Sequence, residues 1–136
     1  MDESVTRYLA ASEAGDIDGV MDTLTPDVEV VSPISGRMTF RGRDDVRTLL
    51  SAVYGSLKSL RWCEQVGDGR HRVALGEMRI GPVAMTDAMV FELAPDGRIR
   101  SIRPHLRPWL ALTLFAAVVG PKVARRPNVV RRALRG

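Results

Sequence analysis

Along a β-strand successive side chains point to opposite faces. In the run Val83-Ala84-Met85-Thr86-Asp87-Ala88-Met89-Val90-Phe91-Glu92-Leu93, one face carries Val83, Met85, Asp87, Met89, Phe91 and Leu93. Asp87 thus lies on the greasier face, between two methionines. A buried carboxylate is costly unless it is paired, hydrogen-bonded or protonated, and burial drives it toward the neutral form. A neutral carboxylic acid in an apolar site can donate a hydrogen bond to a ligand oxygen. The alternative is a structural aspartate bonded to backbone or to an arginine. Both readings stay open on this stretch alone.

Other reactive side chains are few. His105 is a residue type suited to acid–base work. On the strand expected over 98–106, however, Ile102, Pro104 and Leu106 share one face, and Arg103 and His105 take the other. His71, between Arg70 and Arg72, reads as solvated, and Glu77 as facing Arg79, away from a cavity that Ala74 and Gly76 would widen. No Cys/His cluster has metal-ligand spacing, so no metal and no cofactor is expected. No phosphate-binding glycine loop and no G-x-S-x-G motif occurs. Ser32 has no partner histidine by sequence.

The elements that would position these residues follow from periodicity. Residues 4–14 form a helix with Ser4 as N-cap, Val5, Tyr8, Leu9 and Ser12 inward, and Gly15 as its stop. Asp16 caps a second helix through Leu24, which Pro26 ends. Strands are expected at 28–31 and near 38–40. A third helix follows Gly42, with Asp44 and Asp45 in its first turn and Val46, Leu49, Leu50 and Val53 inward, and Gly55 closes it. Four β segments come next, at roughly 57–66, 71–80, 83–94 and 98–106, separated by Gly67-Asp68-Gly69, Gly81-Pro82 and Pro95-Asp96-Gly97. Helices early and strands late predict an α+β fold with the helices on one face of a curved, mostly antiparallel sheet. Residues 109–119 are apolar on all sides, but eleven helical residues span only about 16 Å, too little for a bilayer.

At 136 residues the chain suits one domain with a real core. A single cysteine, Cys63, excludes an internal disulfide and fits the cytoplasm. The start, Met1-Asp2-Glu3-Ser4, is acidic with no apolar run, which reads against a signal peptide. The net charge of +4 is misleading. Residues 120–136 hold Lys122, Arg125, Arg126, Arg131, Arg132 and Arg135 and no acid, which leaves the body slightly acidic. A nucleic-acid partner would need a basic face on the folded body and is not expected. The tail reads either as a solvated basic end that frays or as a membrane-surface contact.

The element order, with Arg7-Tyr8-Leu9 through Gly15-Asp16-Ile17-Asp18 and the later Asp96-Gly97-Arg98-Ile99, resembles the nuclear transport factor 2-like superfamily, and within it the ketosteroid isomerases and SnoaL-like proteins. The resemblance covers about residues 4–106. It implies a cone-shaped domain over 1–106, with a pocket between helices and bent sheet, followed by an apolar helix and basic tail over 107–136. It also implies a homodimer. Position by position, Tyr8 matches the isomerase tyrosine that donates to an oxyanion, and Asp87 matches the second, protonated donor; the raised pKa of that aspartate belongs to the resemblance. The family's base, an aspartate before a proline, is replaced by Ser32 before Pro33. A serine hydroxyl cannot shuttle a carbon-bound proton as a carboxylate does. Two tyrosines that support the donor tyrosine in some members fall at Leu24 and Leu50, so Tyr8 is expected to lack that support. Met85 stands where limonene-epoxide hydrolases need an arginine, which excludes that activity. SnoaL-like cyclases use a late acid or histidine, which keeps His105 in view.

The expected site is a hydrophobic pocket lined by Val20, Met85, Met89, Phe91, Ile102 and Leu106, with Tyr8, Asp87 and Ser32 as its polar groups. It would hold a small steroid- or polyketide-like molecule bearing a carbonyl or phenol. The resemblance implies isomerase or cyclase chemistry; the missing base leaves a non-catalytic binding protein or a dimeric interaction module as the alternative. The apolar helix could then be core, lid or interface.

Overall fold

The computed structural model describes residues 3–35 and 37–135; Met1 and Asp2 of the acidic start lie outside the described residues. Helix α1 (Ser4–Ala14) stops at Gly15, whose left-handed φ of 70° closes the last turn. Its N-cap is Glu3, not Ser4, and no side chain caps it. Asp16 does cap α2 (Ile17–Met21), accepting the Gly19 N–H at 3.0 Å. This helix ends before Leu24, because Leu24 already opens strand β1 (Leu24–Val31). Pro26 sits inside that strand, in the irregular stretch between the pairings of Leu24 with Ile99 and of Glu29 with Ser101, where a missing N–H costs no ladder bond.

Strand β2 (Thr39–Arg41) pairs with β1, and helix α3 (Arg43–Tyr54) follows with Asp44 and Asp45 in its first turn. Strands β3 (Leu57–Val66), β4 (His71–Ile80), β5 (Val83–Leu93) and β6 (Ile99–Arg103) form the expected meander, and a short β7 (Leu106–Arg107) pairs with β5. The sheet order is β2-β1-β6-β5-β4-β3, antiparallel except for the β1–β6 pair. The α+β reading of the sequence holds.

The chain end differs from expectation. Helix α4 (Trp109–Ala124) runs past the apolar stretch expected over 109–119, through Gly120 and Pro121. A proline inside a helix costs about 3 kcal/mol. Val119 and Val123, buried on either side of it, supply the packing that offsets this. Residues 127–134, in the tail read either as a solvated end that frays or as a membrane-surface contact, form helix α5 (Pro127–Leu134) with Val129 and Ala133 buried. Arg132 clamps it to α3 through two 2.8 Å bonds to the buried Asp45 carboxylate.

Candidate functional site

A cavity of about 230 Å³ opens between the concave sheet face, α3 and α4. Its wall is apolar almost throughout: Met78, Met89, Ile102 and Leu106 come from the sheet, Leu50 from α3, and Phe115 from α4. Four lining side chains carry polar atoms, namely Ser32, Tyr54, Trp62 and Asp87; no lysine, arginine or histidine lines it among the described residues.

Strand alternation places Asp87 as the sequence suggested. It is 6% exposed, and β4 opposes it with Gly76. Burial pushes its carboxyl up from the ordinary 3.8 to about 7, against the opposing pull of the His105 backbone N–H, which donates to Oδ1 at 3.1 Å. That bond exists because β6 stops at Arg103 and β7 starts at Leu106, leaving the His105 amide free to turn toward Asp87. Asp87 thus has one oxygen held by backbone and the other available to carry the proton. His105 itself points away from the cavity, its ring exposed, with Nδ1 3.1 Å from the Ala88 carbonyl. Ile102, Pro104 and Leu106 line the cavity, as parity required.

Tyr8 is fully buried and does not line the cavity; it packs edge-on against Phe91, with ring centroids 5.2 Å apart. Its hydroxyl lies 2.7 Å from that of Tyr54, which does line the cavity. The expected loss of Tyr8's support is therefore wrong. The supporting phenol comes from the end of α3 and not from the Leu24 or Leu50 positions. Val46, Leu50 and Tyr54 share a four-residue stripe, a signal that could have found it. Beside this pair, the Ser12 Oγ donates to the Leu9 carbonyl at 2.9 Å and accepts the Trp62 indole N–H at 2.9 Å. Burial raises the pKa of both phenols far above the ordinary value, so each stays a neutral donor.

Of the other expected residues, Met89, Ile102 and Leu106 line the cavity, whereas Val20, Met85 and Phe91 are buried in the packing outside its wall. Gly76 does not widen it. A Cβ there would stand 2.5 Å from Trp62 Cε3, so the glycine makes room for that indole. Glu77 pairs with Arg61 at 3.0 Å and not with Arg79, which bonds the Pro82 carbonyl. Ser32 is at the cavity, but its oxygen accepts the Ile34 and Ser35 N–H groups at 3.1 and 3.3 Å, so it shapes the 32–35 turn. No acid or base partners its hydroxyl among the described residues. No three of His, Cys, Asp and Glu converge as metal ligands would, among the described residues.

The SnoaL-like domain family matches residues 5–102, and the chain belongs to that family. No curated protein matches it. An uncharacterised bacterial protein with a cystatin-like fold from Silicibacter pomeroyi is similar over 98% of this chain and 95% of its own, with a TM-score of 0.90 and 21% identity. A steroid delta-isomerase from Pseudomonas aeruginosa is similar over 92% of each chain, with a TM-score of 0.82 and 21% identity. An epoxide hydrolase/cyclase-like enzyme of salinomycin pyran-ring formation covers 79% of this chain and 90% of its own, with a TM-score of 0.66 and 18% identity. At these identities the likeness is one of fold.

Proposed function

We propose that this SnoaL-like protein binds a small, neutral, largely apolar molecule and grips its single carbonyl or phenol oxygen with the protonated Asp87 carboxyl and the Tyr54 hydroxyl. The supporting observation is the cavity wall itself: apolar, without a cation, and carrying one carboxyl that burial holds near neutrality. A ligand carboxylate or phosphate would find no counter-charge there. Tyr54 takes the cavity-facing donor place that the resemblance gave to Tyr8, and Tyr8 stands behind it as the hydroxyl that orients it.

Two preorganised donors suit an oxyanion as well as a ground-state oxygen. Isomerisation by proton transfer also needs a base, and the turn serine at position 32 offers none. Binding is thus the reading that the geometry favours, with isomerase or cyclase turnover a second reading that rests on the donor pair alone. The homodimer implied by the resemblance belongs to the same proposal; Leu75, exposed on β4, would lie in its interface.

The test is a titration with prodan, a neutral naphthyl ketone whose emission reports polarity and hydrogen bonding. Binding with a blue-shifted emission is expected below neutrality. It should weaken as pH rises past about 7, where Asp87 loses its proton. Val119→Trp, which fills the cavity from α4, should abolish it. Binding that is insensitive both to pH and to Val119→Trp would refute the proposal.

A further inference from the structure

We infer that the outward face of α4, with the cationic segment that follows it, docks on an anionic lipid bilayer. The buried residues of α4 are Ala111, Phe115, Val119 and Val123, a stripe at four-residue spacing. The opposite stripe, Trp109, Thr113, Ala117 and Pro121, is exposed, and Leu110 lies beside it. Trp109 is 77% and Leu110 56% exposed. The solvent face of an amphipathic helix normally carries charges. Here residues 109–121 contain none.

Charge identifies the occupant. No acidic residue follows Asp96 in the chain. Arg107 flanks the exposed face at its start, and Lys122, Arg125 and Arg126 at its end, all exposed. Lys122 and Arg126 also line a surface depression with Arg47 and one carboxylate, Asp44, of α3. Arg125 and Arg126 have no ion pair among the described residues, whereas Arg132 is committed to Asp45. A second copy laid isologously on this face would bring these cations together. An acidic protein would answer the cations but not the uncharged apolar stretch between them. A bilayer with anionic headgroups answers both: hydrocarbon takes Leu110, the interface takes the Trp109 indole, and headgroups take the arginines. No described helix is long and apolar enough to cross a membrane, so α4 would lie in the interface plane. Its other face walls the ligand cavity, which would put that wall next to a reservoir of apolar molecules.

The full chain is tested by co-sedimentation with phosphatidylcholine vesicles with and without phosphatidylglycerol, and by tryptophan emission. Binding to the anionic vesicles is expected, with a blue shift and a loss at high salt. Trp109→Ala/Leu110→Ala, whose fold is checked by circular dichroism, should weaken binding roughly tenfold or more. Arg125→Ala/Arg126→Ala should weaken it roughly fivefold per charge. The inference is overturned by absence of binding to anionic vesicles, or by undiminished binding of the Trp109/Leu110 variant. It is equally overturned by an oligomer that this variant dissociates in the absence of lipid, since a second copy would then be the occupant.

Discussion

Replacing Asp87 with Asn should make the protein more stable at alkaline pH, although it alters a buried polar side chain of the candidate site. The amide keeps the carboxyl's shape, and its oxygen can still accept the His105 N–H that Asp87 holds at 3.1 Å. What it removes is an ionisable group at 6% exposure. The folded pKa is raised from the ordinary 3.8 to about 7. Below the unfolded value both states are protonated, and the group does not affect stability. Between the two values the folded state keeps a proton that the unfolded state has lost, so wild-type stability falls as pH rises. Above about 7 the penalty is constant. At ~1.4 kcal/mol per pH unit, the interval amounts to about 4 kcal/mol. Urea unfolding of both proteins from pH 4 to 8.5, at fixed ionic strength, measures it. The stability advantage of Asp87→Asn, relative to its value at pH 4, should grow through neutrality and then level off. Taking the difference cancels the other carboxylates, such as Glu92 and Asp96, which partners hold below their ordinary range. A pH-independent difference would refute the assignment of Asp87 as a buried, near-neutral acid.

Tyr54→Phe should leave the fully buried Tyr8 hydroxyl without its partner, costing about 1–3 kcal/mol by urea unfolding. In the double variant with Tyr8→Phe most of that loss should return. Gly76→Val should push the Trp62 indole off the cavity wall and destabilise by about 1–3 kcal/mol, with a change in tryptophan emission. Ser32→Asp can keep the turn, because a carboxylate accepts the Ile34 and Ser35 N–H groups as the hydroxyl does. It places a base at the cavity and should raise steroid isomerase turnover by roughly 10²-fold or more over wild type. Unchanged turnover in a folded Ser32→Asp protein would show that position 32 does not face the reacting carbon.

Much of this was legible in the sequence because short-range chemistry dictates it. The glycine-centred turns fix the β4–β5–β6 meander, and period-two alternation alone puts Asp87 on the concave face. What stayed hidden depends on contacts between distant segments. Helix α4 reads as an apolar stretch over 109–119 until Val119 and Val123, on either side of Pro121, are seen to be packed on the cavity side. Helix α5 reads as a tail, solvated or on a membrane surface, until Arg132 meets Asp45, 87 positions earlier. The resemblance points to Leu24 and Leu50 for a supporting phenol, and not to Tyr54. The hydroxyl reaches Tyr8 from the last residue of α3 instead, a residue that also lines the cavity. Gly76 looked like added cavity space only because nothing local shows the Trp62 ring lying over it.

The most direct measurement is the infrared carbonyl stretch of a ketone probe bound in the cavity, isotope-labelled at the carbonyl carbon. In wild type at pH 6 the stretch should lie well below its value in a hydrocarbon solvent, because the Asp87 proton and the Tyr54 hydroxyl both donate to the oxygen. In Asp87→Leu it should move part of the way back, with the Tyr54 bond remaining. An identical stretch in the two proteins would contradict the account, since the oxygen would then not be held by Asp87.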